Sequence, residues 1–368
     1  MSAPADIAIV GGGLVGLSLA TGFVRRGARV VILDPDEDDL HASAGNFGLV
    51  WVQGKGMGAP AYSTLTRRSA QGWDAFAQNL EEESGLKPAY RRSGGLKIAL
   101  NEDELDAQRT ALQRMHNQDS AAGVRLIDRN ALRELVPAVG PEAVGATFCE
   151  HDGHADPLTT HAALRTVLMK SQNVTVRRAR AHGVRAVRGG FEIDDDLGTV
   201  AAGRVVLAAG LGNAELGRAL GLHAPLRPQR GQILVTARMP HFLEMACHTV
   251  RQTEAGSVMI GDSKEDVGFD RGVTQPVAAA MAARAVRLFP VLRTARVVRQ
   301  WGALRVMSPD GLPVYAQAPD HPGATLISCH SGVTLAAAHA GEVADAILDG
   351  TLSRDYAAFA PDRFQAAA

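Results

Sequence analysis

Cysteine is scarce in this chain of 368 residues. The three cysteines, Cys149, Cys247 and Cys329, lie far apart, and no CxxC pair is present. Disulfide frameworks and cysteine-based metal sites need paired or closely spaced thiols. We therefore expect free thiols, no metal site and a reducing compartment, with the cytoplasm as the location.

Long apolar runs and an excess of one charge are also absent. No apolar stretch approaches the roughly 20 residues that a membrane-spanning helix needs. We therefore expect no transmembrane segment. The sequence leads directly into a strand, so we expect no signal peptide either. The 38 basic and 39 acidic residues give a net charge of −1, which gives no indication of a nucleic acid or an anionic membrane as a partner.

Glycine, by contrast, is plentiful, and its first cluster forms the most informative motif. The apolar run 6–10 leads into Gly11-Gly-Gly13-Leu-Val-Gly16, a helical stretch, and a second apolar run that ends at Asp34. Strand, glycine turn, helix, strand and acid in this order are typical of a dinucleotide-binding unit, in which the acid accepts hydrogen bonds from a ribose hydroxyl. A glycine turn in an ordinary βαβ unit is the alternative.

Each residue of this turn has a predicted role. Gly11 permits the tight turn, Gly13 lets the backbone approach a pyrophosphate, and Gly16 lets the helix pack on the strand. The N–H groups at the start of the helix, at Leu14 and Val15, hold the phosphate charge together with the helix dipole.

The rest of the chain predicts an α/β protein of two interleaved domains. Apolar strands at 205–210 and 324–328 return to the sheet of the N-terminal unit, which suits a long cofactor lying across the sheet and favours FAD over NAD. We assign residues 1–75, 145–215 and 302–368 to a Rossmann-like FAD-binding domain, and residues 76–144 and 216–301 to an antiparallel-sheet α+β substrate domain. Helices are predicted at 61–84, 102–118, 128–135, 158–169, 278–289 and 335–348.

Short segments along essentially the whole chain carry a family resemblance. They are 11–16, Asp34, 43–46, 94–96, 156–157, 205–210, 228–232, 301–305, 308–313 and 332–334. In this order they resemble the D-amino-acid-oxidase-like family of FAD oxidoreductases, which includes glycine and sarcosine oxidases. Residues 43–58 and 329–334 are most similar to the flavin subunits of bacterial opine and hydroxyproline dehydrogenases. The chain departs from the family at Asp34, Val306 and His330, where relatives more often have other residues.

The resemblance implies noncovalent FAD and oxidation of a C–N bond by hydride transfer to the flavin, followed by hydrolysis of the imine. It implies that Arg305 holds the substrate carboxylate, a task that suits a planar guanidinium. A surface or domain-bridging arginine is the alternative. It also places His330 beside the flavin, where it takes a proton from the substrate ammonium or binds a second acidic group. A packed histidine bonded to backbone is an equal alternative.

Further residues are implied to contact FAD. They are Ser43, Gly45 and Asn46 at the phosphates or ring edge, Ala209 and Gly210 along the dinucleotide, Gly302 beside the ring, and Gly332, Val333 and Thr334 at a helix start that stabilises the reduced ring. Lys55 is interpreted as a solvated loop residue, although a lysine near a flavin can activate oxygen or stabilise charge. His154 and Asp156 are interpreted as structural, capping the following helix. Cys329 does not match the common positions of covalent flavin attachment.

Three functions stay open at this point. The first is FAD-dependent oxidation of a D-amino acid, an N-substituted glycine, an opine or a hydroxyproline-type ring. The second is a flavin subunit of a hetero-oligomeric opine or imino-acid dehydrogenase, inactive without partner subunits that carry the electrons onward. The third is an NAD(P)-dependent reductase without flavin, against which the repeated sheet returns argue. The sequence does not distinguish O2, a quinone or a partner subunit as electron acceptor, nor a homo-oligomer from a hetero-oligomer.

Overall fold

The computed structural model describes residues 5–35, 41–118 and 123–364, and it confirms the predicted α/β class. In chain order the strands are β1 (Ala5–Val10), β2 (Val30–Leu33), β3 (Leu49–Val50), β4 (Gly95–Ala99), β5 (Val124–Asp128), β6 (Gly145–Cys149), β7 (Gly153–His154), β8 (Val174–Arg177), β9 (Ala181–Val187), β10 (Gly190–Asp195), β11 (Gly198–Leu207), β12 (Arg227–Thr236), β13 (Ala246–Cys247), β14 (Val250–Gln252), β15 (Val258–Ile260), β16 (Val297–Met307), β17 (Val314–Gln317) and β18 (Ala324–Ser328).

The helices are α1 (Leu14–Arg25), α2 (Pro60–Ser84), α3 (Glu102–His116), α4 (Arg129–Leu135), α5 (Pro157–Lys170), α6 (Asn213–Leu216), α7 (Gln275–Leu288), α8 (Ala336–Ala338), α9 (Ala344–Leu348) and α10 (Leu352–Asp355). The helix predicted at 335–348 is interrupted by a wide turn at His339–Val343, where Gly341 has φ −118° and ψ −108°. Glycine pays little for this departure from helical geometry because it has no Cβ. No helix in the described ranges is both long and apolar enough to cross a membrane.

The main sheet is parallel at its centre. Strand β1 pairs in parallel with β2 and β11, β11 pairs in parallel with β18, and β2 pairs in parallel with β8. The carboxyl ends of β1, β11 and β18 therefore meet at one edge of the sheet. Helices α1, α2, α5, α8 and α9 cover one face, and their apolar side chains form the largest core with Phe23, Trp73 and Leu164 fully buried.

Two smaller sheets form the other half of the molecule. One has the order β14-β15-β12-β16 and the other the order β13-β4-β6-β5, with a shared core below α7. Strand β6 pairs with both β4 and β5, and β16 runs without a break from 297 to 307. The predicted domain limits at 145 and 302 therefore fall within the sheets of this half. The sequence of a strand does not show which strands it pairs with, so these limits could not be seen to divide a sheet. The division into two domains stays a prediction.

The glycine turn after β1 leaves no room for side chains. Gly11 has φ +112°, a value that favours glycine, and a Cβ at Gly16 would lie 1.9 Å from the Gly11 carbonyl oxygen. Helix α1 therefore packs directly against the end of β1. Across the turn, the Leu14 amide donates a hydrogen bond to Ser43 Oγ at 2.9 Å, which fixes the loop after β2 beside the start of α1.

A buried carboxyl group connects this loop region to the second half. Asp152 Oδ1 accepts a hydrogen bond from the Val52 amide at 2.5 Å, and its Oδ2 accepts one from the Gln53 side chain at 2.7 Å. Thr147 Oγ1 on β6 donates to Gln53 Oε1 at 2.8 Å. These bonds fix the segment that leads to Lys55.

Replacing Gly16 by alanine is expected to destabilise the glycine turn. The added methyl group would collide with the Gly11 carbonyl oxygen, and overpacking of this kind costs about 1–3 kcal/mol. We expect a lower free energy of unfolding in denaturant titrations and less FAD bound per purified chain. Gly183→Ala on β9 is the control, because a Cβ there has no heavy atom within 4 Å. Equal losses in the two variants would contradict this account of the turn.

The stability of the protein is expected to depend on the protonation of Asp152. Burial raises the pKa of this carboxyl group to about 7. Because this pKa lies above the value in the unfolded chain, the proton favours folding at low pH, and that contribution is lost as the pH rises to about 7. Over this window the group lowers the free energy of unfolding by up to about 1.4 kcal/mol per pH unit.

The Asp152→Asn variant tests this pH dependence. In denaturant titrations between about pH 4 and 7, the free energy of unfolding of the variant should fall less steeply with pH than that of the wild type. The difference in slope corresponds to the one proton that Asp152 can bind. Parallel curves for the two proteins would show that Asp152 is ionised in the native protein throughout the range.

Candidate active site

One large cavity, of about 810 Å³, follows the sheet edge where β1, β11 and β18 end and continues to β16. All of the predicted site residues except Gly16 and Gly302 line it. The lining residues are Gly11, Gly13, Leu14, Val15, Asp34, Ser43, Gly45, Asn46, Ala209, Gly210, Arg305, His330, Gly332, Val333 and Thr334. Gly16 instead packs α1 on the sheet, the role predicted for it.

Gly302 lies outside this cavity, so the prediction that it leaves room for the flavin ring is corrected. A Cβ at Gly302 would lie 2.7 Å from the Arg271 carbonyl oxygen and 2.9 Å from that of Gly272. The loop that contains these residues passes over β16 at this point. Glycine is therefore required at 302 for backbone packing. The neighbouring Ala303 lines the cavity. A Cβ built on Gly45 would lie 2.3 Å from the Ala303 Cβ, so there is no space for a side chain at position 45.

One end of the cavity has the donors and shape that a dinucleotide needs. The Gly12 amide donates to Asp34 Oδ2 at 2.6 Å, which holds the carboxylate beside the turn, and the N-terminus of α1 faces the cavity. Asn213 links the residues that follow β11 to the end of β18. Its Oδ1 accepts from the Ala209 amide and its Nδ2 donates to Ser328 Oγ. The glycine turn, helix dipole and elongated cavity fit FAD. The contacts of Asp34 with the ribose, and of Ser43 and Asn46 with FAD, stay predictions.

The turn 332–334 is held rigidly from α2. Trp73 Nε1 donates to the Val333 carbonyl oxygen at 3.1 Å, and Ser69 Oγ donates to that of Thr334 at 2.7 Å. Thr334 Oγ1 accepts from the Trp51 amide at 3.1 Å. These bonds orient the backbone of the turn at the start of α8, as the predicted contact with the flavin ring requires.

Arg305 on β16 lines the same cavity. Its Nη1 donates to the Ser263 carbonyl oxygen at 2.8 Å, which fixes the plane of the guanidinium. A Cβ on Gly231 would lie 2.7 Å from Nη2, so glycine is needed on β12 for the side chain to pass. Burial lowers the pKa of Arg305, and Asp262 and Glu265 oppose the change. The group stays charged and suits a carboxylate ligand.

Lys55 is the site residue that the sequence interpretation missed. It lines the cavity, and its Nζ bonds to Ser331 Oγ and donates to the Tyr62 hydroxyl at 3.3 Å. The interpretation as a solvated loop lysine is therefore wrong. Gly54 and Gly56 have φ of +75° and +78°, and this tight turn directs the lysine inward. Burial lowers the pKa of Lys55 to about 8. The glycines on both sides of Lys55 were the one signal in the sequence that could have indicated a tight turn with an inward-facing lysine.

His330 and Cys329 are both held in their neutral forms. The positive charge of Lys55, followed by burial, lowers the pKa of His330 well below its usual range. Its Nδ1 lies 3.1 Å from Ser331 Oγ, so the same hydroxyl joins the histidine to the lysine. Burial raises the pKa of the Cys329 thiol to about 12. Asp156 caps α5 as interpreted, because its Oδ1 accepts from the Leu158 and Thr159 amides. His154 is buried but makes no capping bond to α5.

Comparison with known proteins assigns the family. The family of FAD dependent oxidoreductases called DAO matches residues 6–346. An opine oxidase subunit of Rhizobium meliloti is 40% identical over 363 residues, and the corresponding protein of Agrobacterium tumefaciens (strain Ach5) is 39% identical over 364 residues, each match covering 98% of both proteins. The crystal structure of glycine oxidase from Geobacillus kaustophilus shares the fold, with a TM-score of 0.87, 24% identity and coverage of 94% of this chain and 95% of that chain. The chain belongs to the DAO family of FAD-dependent oxidoreductases.

Proposed function

We propose that this enzyme oxidises the C–N bond of a small amino or imino acid whose carboxylate binds Arg305. The observation that carries the proposal is the placement of a fixed guanidinium and a neutral imidazole in the wall of the same cavity that the glycine turn lines. The family and its glycine oxidase and opine oxidase members support oxidation of amino-acid C–N bonds.

Bound FAD supplies the acceptor for the two electrons and the hydrogen that leave the substrate carbon. The chain's own residues position the substrate and handle its protons. Arg305 fixes the carboxylate, and therefore the carbon next to it, against the turn 332–334. His330 is unprotonated and faces the same space, so it is placed to accept a proton from the substrate ammonium. The nitrogen lone pair then forms the C=N bond, and water converts the imine to an oxo-acid and an amine. The proton-accepting role of His330 and the noncovalent state of FAD stay predictions.

Arg305→Met is expected to weaken substrate binding far more than it slows the bound complex. A charge-assisted bond of this kind contributes about 1.5–3 kcal/mol, so KM and the Kd of a carboxylate inhibitor should rise by about tenfold to a hundredfold. Arg299→Met is the matched control, because Arg299 lies on the same strand and is exposed. Inhibitor titrations followed by the flavin absorption spectrum measure the Kd. An unchanged Kd in Arg305→Met would place the carboxylate elsewhere.

We also propose that the chain works as the flavin subunit of a hetero-oligomer in the cytoplasm, with its electrons passing to a partner subunit. The support is the full-length similarity to two proteins that are each named as one subunit of an opine oxidase. A chain of this kind needs no electron-transfer centre of its own beyond the flavin, which agrees with three separate cysteines.

Reoxidation of the reduced chain tests the subunit proposal. The chain expressed alone and reduced by substrate without oxygen should return slowly to the oxidised spectrum in air, whereas the complex purified from its native source should return quickly. Light scattering gives the mass of each preparation. Fast reoxidation in air by the chain alone, at a mass equal to a whole number of its own copies, would contradict the proposal and indicate an oxidase.

A further inference from the structure

The cavity wall carries few carboxylate groups, and one of them lies beside Arg305. Among the described residues that line the cavity, the acidic ones are Asp34, Glu215 and Asp262. Asp34 belongs to the glycine turn, and Glu215 is on α6 in the segment that follows β11. Asp262 is next in the chain to Ser263, whose carbonyl oxygen accepts the hydrogen bond from Arg305. A carboxylate and a guanidinium are therefore neighbours in the cavity wall.

The turn that carries Asp262 is fixed on both sides of this residue. The Gly261 amide donates to the Thr249 carbonyl oxygen at 2.9 Å, and Ser263 Oγ accepts from the Gln232 amide at 2.7 Å. Asp262 itself has φ +81°, in the left-handed region. Aspartate tolerates this region better than most residues do, but glycine adopts it more readily. The shape of the turn therefore does not by itself require a carboxylate at this position.

The protein balances the charge of Asp262 only weakly. Its Oδ2 lies 3.4 Å from His248 Nδ1, and burial lowers the pKa of this histidine, so the imidazole is neutral. Its Oδ1 lies 3.8 Å from Lys264 Nζ, on a lysine side chain that is 60% exposed. Exposed ion pairs of this kind contribute little free energy. In the described part of the chain Asp262 and Arg305 form no ion pair with each other, so both groups stay available to a ligand.

We propose that Asp262 binds the substrate ammonium while Arg305 binds the carboxylate, so that the pocket recognises its amino or imino acid as a zwitterion. This inference rests on the proposed oxidation of such an acid, and it adds the group that holds the nitrogen. The ammonium and the carboxylate of an α-amino acid are attached to the same carbon, so the residues that bind them must be neighbours. Two contacts also fix that carbon better than one. The later loss of a proton from the nitrogen remains the task proposed for His330.

The positive charges near Arg305 explain why a substrate ammonium needs such a partner. Three cations act on His330 and lower its pKa, namely Lys55, Arg305 and Lys264. Together they would repel an ammonium group from this part of the cavity. Burial lowers the pKa of Arg305, and the negative charge of Asp262 opposes that change, so this carboxylate acts on the same space. It supplies the attraction that the cations deny to the nitrogen.

Asp262→Asn is the variant that isolates the charge. The amide has nearly the size of the carboxylate, and asparagine also tolerates the left-handed region, so the turn should keep its shape. Asp266→Asn is the matched control, because Asp266 is exposed on the same loop, pairs with Arg227 and does not line the cavity. If Asp262→Asn does not fold, Asp262→Gly, which suits the positive φ, is measured under the same criteria.

Two inert ligands that differ only in the ammonium test the assignment. α-Aminoisobutyrate has no hydrogen on the carbon that bears its nitrogen, so it cannot be oxidised there. Pivalate has a methyl group in place of the ammonium. Their Kd values are measured on the FAD-loaded wild type and the two variants from the change in the flavin spectrum.

Asp262→Asn is expected to bind α-aminoisobutyrate about tenfold to a hundredfold more weakly than the wild type, because it lacks the charged partner of the ammonium. It should bind pivalate at least as tightly as the wild type, since a negative charge near Arg305 is gone. Asp266→Asn should bind both ligands as the wild type does.

An unchanged Kd of α-aminoisobutyrate in Asp262→Asn would overturn the assignment of Asp262. Equal weakening of both ligands in this variant would also overturn it, because Asp262 would then serve only the shape of the turn. An effect of the same size in Asp266→Asn would do so too, since a general field would then explain the result. Failure of the proposed function has a different signature: neither ligand would bind the wild type, or both would bind Arg305→Met as tightly as the wild type.

Discussion

Parallel pairing of β1 with β11, and of β11 with β18, is the constraint on which the site depends. Parallel strands bring their carboxyl ends to one edge, so the three turns that follow them become neighbours although they are far apart in the chain. The glycine turn, residues 208–210 and residues 329–334 are these turns, and all three line the cavity. The long antiparallel ladder of β12 and β16 places Arg305 in the wall of the same cavity. A dinucleotide bound at the glycine turn would therefore share one cavity with Arg305, the residue that we propose binds the substrate carboxylate.

Electrostatics around Arg305 and Lys55 favour anionic ligands. Arg305 and Lys55 are half-buried cations, and the charges of both help to lower the pKa of His330. The charged groups cost free energy in the empty pocket, and a bound carboxylate offsets part of that cost. Hydrogen bonds to the Ser263 carbonyl oxygen, and to the hydroxyls of Ser331 and Tyr62, already hold both cations in place, so a carboxylate ligand would meet a pre-organised site. Pre-organisation of this kind lowers the entropy lost on binding.

The local parts of this structure could be predicted from the sequence, and the long-range parts could not. The run from Asp6 to Asp34 shows its fold because strand, glycine turn and helix each have a signature within a few residues. Arg305 and His330 were found through their neighbours in family-like segments. Gly302 was placed wrongly because a glycine required by a loop packed on its strand looks the same in sequence as one required by a ligand.

Lys55 shows the same limit for a polar residue. A lysine between two glycines reads as a surface loop, and its burial depends on Ser331, which is 276 positions away. The pairing of β6 with β4 and β5, and the raised pKa of Asp152, likewise arise from contacts that only the folded chain brings together.

Anaerobic titration of the FAD-loaded protein with amino and imino acids, followed by its visible absorption spectrum, tests the proposed C–N oxidation. We expect a small amino or imino acid to bleach the flavin of the wild type, and Arg305→Met to need about tenfold to a hundredfold more of the same compound. A spectrum that no amino or imino acid changes, in a protein whose flavin is readily reduced by dithionite, would contradict the proposed oxidation.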